Sequence, residues 1–150
     1  MKKYFVIAAL IFVVFSSAQK NVSVDELFKA KENVIGFQCG GGPTGGFAAK
    51  FYQLLKENNY SKIRELIFSN IPAEKFFAAV TCNKLSDFKK IELSPEEKKI
   101  IAEIYNSNDI VYSCWGCSYI RAKSIREYVN DKHDTLIMFK MEYMIEELLK

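Results

Sequence analysis

The chain has 150 residues, of which 49% are hydrophobic and 26% are charged, and its formal net charge is +3 at pH 7. Basic and acidic residues are interspersed along the chain, so it lacks the basic stripe that nucleic-acid-binding domains carry. We therefore expect no nucleic-acid partner. This length fits one domain with a modest core.

Residues 1–18 have the parts of a secretory signal. Two lysines precede an unbroken apolar run over residues 4–15, and Ser16 and Ala18 supply small side chains before the cleavage point. The apolar run is too short to span a bilayer comfortably. We predict a mature domain of residues 19–150 with no stable membrane anchor, exported to the periplasm or the exterior of a bacterial cell.

A glycine-rich stretch follows a segment at residues 33–38 that is predicted to be extended. Five of the seven glycines of the chain lie in the string CGGGPTGG, residues 39–46. The string lacks the spacing of known phosphate-binding loops, so we predict a tightly packed or flexible loop beside a disulfide. Its candidate binding residues are Gly40, Gly41, Gly42 and Thr44.

Apolar residues at helical spacing predict amphipathic helices in four regions. These regions are residues 21–31, 47–57, 95–105 and 135–149. The start of the third is marked by an N-cap serine, Ser94, followed by proline at the first helical position. Ser124 and Glu127 have the spacing of a capping box, which predicts a further short helix from Ile125.

Residues 60–85 predict two helices joined by a tight turn. The first covers residues 61–68, and Pro72, which lacks a backbone N–H, is suited to begin the second. The second helix has one face of large apolar residues, including Phe76 and Phe77, and a roughly opposite face of smaller ones. A helix that is apolar on two sides is buried between two layers, so we predict that this helix is the centre of the core.

The hairpin resembles one HEAT-like repeat. The residues that carry this resemblance are Ile63, Leu66, Pro72, Ala78, Ala79 and Leu85. The wider order of segments is similar to small exported bacterial proteins of unknown function, and this second resemblance implies no activity. We predict a mainly α fold: a compact helical bundle around one HEAT-like helical hairpin, with short extended segments near the cysteines.

Four cysteines in an exported chain of this size favour disulfides. The candidates are Cys39, Cys82, Cys114 and Cys117. Three connectivities are possible, and we favour a bond within the Cys114–Cys117 pair or from one of its members to Cys39. Cys82 lies on a buried helix, so a free core thiol and a bond to Cys39 both stay open. A structural zinc site with four thiolates is less favoured, because the second pair is widely spaced.

The segment IVYSCWGCSYIRAKSIREYV also mimics the strand, CxxC, helix order of thioredoxin-like proteins. In those proteins a helix N-terminus lowers the pKa of the first cysteine. A thiol-disulfide oxidoreductase acting through Cys114 and Cys117 is therefore the alternative function. Against it, no strand is predicted after the motif, and all three prolines precede it, so the expected downstream cis-proline is missing.

No catalytic constellation is recognisable elsewhere. His133 is the only histidine, and it is flanked by charged residues in a polar connection. We therefore predict a non-enzymatic protein without metal or cofactor, which has a binding or structural role toward another envelope or extracellular protein. If the extended segments 33–38 and 109–113 are neighbours, the glycine-rich loop meets the CWGC segment. That junction, with Trp115 and Tyr119, is the predicted functional surface.

Overall fold

The computed structural model describes residues 33–37, 46–115, 119–131 and 136–150. The helices are α1 (Gly46–Lys56), α2 (Tyr60–Glu65), α3 (Pro72–Asp87), α4 (Pro95–Tyr105), α5 (Ile125–Asn130) and α6 (Leu136–Leu149). The strands are β1 (Val34–Phe37), β2 (Ile110–Trp115) and β3 (Tyr119–Ser124). The described part of the chain is thus mainly helical, with one small sheet. The predicted signal, residues 1–18, and the predicted helix at residues 21–31 lie outside the described residues.

Helix α3 is the centre of the core, as the sequence predicts. Its buried side chains lie around the whole circumference, from Ala73 to Leu85, and both Phe76 and Phe77 are fully buried. The Phe77 ring stacks on Phe51 of α1 at a centroid distance of 4.6 Å and is tilted against Phe37 of β1 at 6.2 Å. Helix α3 therefore packs against helical neighbours and against the sheet at the same time.

The one carboxylate buried on α3 is fully partnered. The sequence pattern treats Glu74 as a break in the apolar ring, yet its side chain is buried. It forms an ion pair with Lys50 of α1 and accepts a hydrogen bond of 2.5 Å from the Ser69 hydroxyl. Because the charge is paired and lies in the first turn of the helix, where carboxylates are favoured, its burial is compatible with a stable core.

Two helix starts are confirmed in atomic detail. The Ser94 hydroxyl accepts a hydrogen bond from the Glu97 N–H, and the Glu97 carboxylate accepts one from the Ser94 N–H, which completes a capping box at α4. Ser124 and Glu127 form the same arrangement at α5. Each box joins residues three apart, so local sequence is sufficient to predict it.

The sheet has the order β1–β2–β3. Strand β1 is parallel to β2, and β2 is antiparallel to β3. The predicted extended segments are therefore confirmed as neighbouring strands. Strand β3 was not predicted, because its sequence, YIRAKS, includes alanine and lysine, which are uncommon in strands. Its pairing with β2 overrides that local preference.

The hairpin at residues 60–85 is present as two helices, but its first arm is short. Helix α2 ends at Glu65, and a 3-10 turn over Leu66–Phe68 completes the arm.

Within the described ranges, no helix is both long and apolar enough to cross a membrane.

Candidate functional site

The parallel pairing of β1 and β2 places the carboxyl ends of these two strands side by side at one end of the sheet. The last paired residues are Phe37 and Trp115. Neighbouring strands of a sheet lie about 5 Å apart. In the sequence, the glycine-rich stretch follows β1 and the rest of CWGC follows β2. Carboxyl ends of parallel strands are a common place for binding sites in sheets.

Several predicted site residues lie outside the described residues. They are Cys39, Gly40, Gly41, Gly42, Thr44 and Cys117. Trp115 and Tyr119 are described by their backbone, and they are directly paired across the β2–β3 hairpin. The structure thus pairs Trp115 with Tyr119 on one side and with Phe37, the last residue of β1, on the other.

Cys114 is part of the sheet interior. Its side chain is 2% exposed, and its Sγ lies 4.0 Å from the carbonyl oxygen of Ile35. Its partner in the register of β1 is Gly36, which has no side chain to compete for the space beside it. Because Cys114 is buried against the backbone of β1, its environment suits a structural cysteine better than an accessible nucleophile.

The local geometry of the CxxC motif differs from that of thioredoxin-like proteins. The motif begins at the end of β2 and is followed by strand β3, and helix α5 begins only at Ile125. The prediction that no strand follows the motif is therefore wrong. In the part of the chain that the structure describes, the first helix after β2 is thus separated from the motif by a whole strand, unlike the helix that directly follows the motif in thioredoxin-like proteins.

Cys82 is a free and fully buried thiol on α3. Of the two alternatives predicted for Cys82, a free core thiol and a bond to Cys39, the structure shows the free core thiol. Burial raises the pKa of Cys82 to about 12, and the negative charge of Glu97 acts in the same direction. Because the thiolate is the reactive form, the side chain is chemically inert in the folded state.

We expect alkylation to distinguish Cys82 from a reactive thiol. Native protein treated with iodoacetamide at pH 8 should leave Cys82 unmodified for hours, because the thiol is both protonated and inaccessible. Addition of 6 M guanidinium chloride should give complete modification within minutes, measured by peptide mass spectrometry. Rapid modification of Cys82 in the native protein would contradict the buried position of this side chain.

The sheet is attached to the helices by polar contacts that the sequence pattern does not reveal. The buried Tyr128 hydroxyl of α5 donates a hydrogen bond of 2.8 Å to the Ser113 hydroxyl of β2, and burial raises the pKa of Tyr128 to about 12. Lys75 of α3 and Asp109, which precedes β2, form an ion pair of 2.5 Å. Hydrogen bonds from Lys75 and Ser107 lower the pKa of Asp109. These contacts hold the strand that carries Cys114.

A second polar cluster joins α2 to α4. Arg64 donates two hydrogen bonds to the Glu97 carboxylate, of 2.7 and 2.8 Å. The Arg64 hydrogen bond, assisted by those from Ser94, lowers the pKa of Glu97 to about 2. A shallow cleft at this pair is also lined by Ser61, Glu65 and Phe68. Both oxygens of Glu97 are used in structural contacts, so the carboxylate is not poised for acid–base chemistry.

Helix α6 carries an exposed aromatic pair that the sequence analysis missed. The rings of Phe139 and Tyr143 stack at a centroid distance of 6.0 Å, and these residues are 56% and 53% exposed. The buried side of the helix carries Ile137, Met141 and Ile145, as predicted. The sequence does contain a signal for this pair: Phe139 and Tyr143 are four residues apart, on the helix face opposite the buried residues.

No group of three or more histidine, cysteine, aspartate or glutamate side chains converges as metal ligands within residues 33–37, 46–115, 119–131 and 136–150. His133 lies outside these ranges. No known protein family, curated protein or solved structure matches the chain.

Proposed function

We propose that this chain is an exported, non-enzymatic protein that binds another protein at the bacterial envelope or outside the cell. Its binding surface is the end of the sheet at Phe37, Trp115 and Tyr119, together with the glycine-rich stretch and the CWGC motif that follow β1 and β2 in the sequence. The observation that carries this proposal is the parallel register of β1 and β2, which ends at the pair Phe37 and Trp115. Export rests on the signal-like residues 1–18.

A binding role is supported by how the polar groups of the described residues are used. Glu97 is held by Arg64, Asp109 by Lys75 and Ser113 by Tyr128. Each of these groups stabilises the fold, and each forms its hydrogen bonds or ion pair with another residue of the same chain. An acid–base catalyst needs a group that is free to exchange a proton with substrate, and these groups do not meet that requirement.

In this proposal the cysteines form a scaffold. Cys114 bonds to Cys39 or to Cys117, and the bond holds the glycine-rich loop or the hairpin turn in place. A structural disulfide stabilises a small domain by about 2–4 kcal/mol, mainly by restricting the unfolded chain. The HEAT-like character of the α2–α3 hairpin belongs to the same proposal, as does the similarity to small exported proteins.

The alternative function is a thiol-disulfide oxidoreductase acting through Cys114 and Cys117. It retains the CxxC spacing, but a strand follows the motif where a helix would be needed. A catalytic disulfide is accessible and relatively oxidising, whereas a structural one resists reduction. The burial of Cys114 favours the structural role.

Site-specific photocrosslinking tests the proposed surface. A benzophenone amino acid would replace Trp115 or Tyr119 in the protein produced by its native bacterium, and irradiated adducts would be separated by electrophoresis. We expect a discrete heavier adduct from each position. Phe88 is 37% exposed and directly follows the C-terminus of α3, at the opposite end from Ala73, whose N–H bonds to Asn33. It is the matched control and should give no adduct.

Two results would overturn the proposal. If the same amino acid placed at the exposed Phe139 gives an adduct while positions 115 and 119 give none, the binding surface lies on α6 instead. Fast reduction of the disulfide by a mild dithiol, followed by rapid alkylation of Cys114 and Cys117 at neutral pH, would favour the oxidoreductase. Graded reduction followed by mass spectrometry measures how readily the disulfide is reduced and the thiols are alkylated, in the same protein preparation.

A further inference from the structure

Asn33 is the residue immediately before β1, and it bonds to two other elements at once. Its side-chain oxygen accepts a hydrogen bond of 2.8 Å from the Ala73 N–H of α3. Its side-chain amide donates one of 2.7 Å to the Ile110 carbonyl at the start of β2. Its backbone carbonyl accepts a third, of 3.1 Å, from the Tyr112 N–H.

The first bond satisfies a donor that α3 cannot satisfy locally. The first N–H groups of a helix have no partner within the helix. Residue Ile71 occupies the N-cap position of α3 and offers no side-chain acceptor, and Pro72 has no N–H. The Ala73 N–H is capped instead by Asn33, which lies 40 residues earlier in the chain.

The other two bonds set the register of β1 against β2. Strand β1 has four residues, so its own ladder is short. A slip of one residue would turn every side chain of a strand to the opposite face, and the buried Ile35 would leave the core. Because Asn33 bonds to the first residue of β2, it opposes such a slip at the start of the pair.

We infer that Asn33 is the positioning residue of the binding surface, an inference that rests on the proposed function. By holding the start of β1 to both α3 and β2, Asn33 determines that Phe37 lies opposite Trp115 at the other end of the strands.

A matched control exists within the chain. Asn59 is an asparagine at the N-cap position of α2, and its side chain accepts a hydrogen bond of 3.3 Å from the Lys62 N–H. Its capping bond joins residues three apart within one helix start. Asn59→Ala therefore removes a cap without removing a link between helix and sheet.

The test compares Asn33→Ala, Asn33→Asp and Asn59→Ala in the mature protein by hydrogen exchange with mass spectrometry. We expect amide exchange in residues 110–115 to be about tenfold faster in Asn33→Ala, the factor that corresponds to about 1.4 kcal/mol, and unchanged in Asn59→Ala. Asn33→Asp keeps the acceptor for Ala73 but cannot donate to Ile110. In Asn33→Asp, amide exchange at the start of α3 should therefore stay slow, while exchange in residues 110–115 should still be fast.

Photocrosslinking from position 115 in the same variants reports whether the binding surface is correctly placed. Adduct yield should fall severalfold in both Asn33 variants and remain unchanged in Asn59→Ala. Equal exchange in Asn33→Ala and Asn59→Ala would overturn the positioning role while leaving the proposed surface intact. Absence of adducts from position 115 in the otherwise unaltered protein would instead defeat the proposed function. If Asn33→Ala does not fold, Asn33→Asp supplies the decisive comparison.

Discussion

Replacement of Phe77 with alanine is expected to lower the free energy of unfolding by about 3–5 kcal/mol. The Phe77 side chain is fully buried and contacts rings from both α1 and β1. Its removal leaves a cavity where the helical layer meets the sheet, and that position has few ways to collapse. Since small domains are stable by only about 5–15 kcal/mol, the variant would lose a large part of its stability.

Urea denaturation followed by circular dichroism measures this effect. Phe68→Ala is the matched control, because Phe68 is 59% exposed and a surface substitution of this kind changes stability by about 0.5 kcal/mol or less. A loss below about 1 kcal/mol for Phe77→Ala would show that α3 is not the centre of the core, since cavity formation there must cost more.

The second large effect concerns acid stability. The Arg64 guanidinium lowers the pKa of Glu97 from the ordinary 4.5 to about 2 in the folded protein. A carboxylate with a lowered folded-state pKa contributes stability above its unfolded pKa, and the contribution is lost as the pH falls. The window is therefore pH 4.5 to about 2. Arg64 is 40% exposed, so solvent screening limits the expected loss to about 1–2 kcal/mol.

Glu97→Gln tests this expectation. The variant should be less stable than the original chain at pH 7, and the difference between the two should shrink as the pH falls from 4.5 toward 2. Lys62→Ala, which removes an exposed ion pair with Glu65, is the control. The difference in stability between Lys62→Ala and the original chain should stay the same over this pH range. Asp109 and Glu127 also have lowered pKa values, and their contributions cancel in the comparison. Parallel stability curves for the original chain and Glu97→Gln would contradict the assigned role of Glu97.

The elements that could be predicted from the sequence depend on neighbours a few residues apart. Helix α4 has its cap, its proline and its glutamate within four positions, and its start is confirmed at Pro95. Helix α3 is recognisable because apolar residues occupy two of its faces, a pattern that requires burial on both sides. Each of these signals is complete within one stretch of chain.

Contacts between distant residues account for what was missed. Asn33 caps a helix that begins 39 positions later, and Arg64 holds a glutamate 33 positions away. Strand β3 exists because β2 offers it a partner, although its own residues do not favour a strand. A single sequence carries no signal for such pairs, because each partner alone is an ordinary polar residue or an ambiguous segment.

The sequence by itself determined the helical character, the central helix α3, the capped starts of α4 and α5, and the two extended segments beside the cysteines. All of these follow from propensity, periodicity and local hydrogen bonds. Only the tertiary structure decided that β1 lies parallel to β2, that β3 follows the CxxC motif, and that Cys82 is sealed in the core as a free thiol. The reason is physical: strand register and burial depend on which distant surfaces meet when the apolar faces are removed from water.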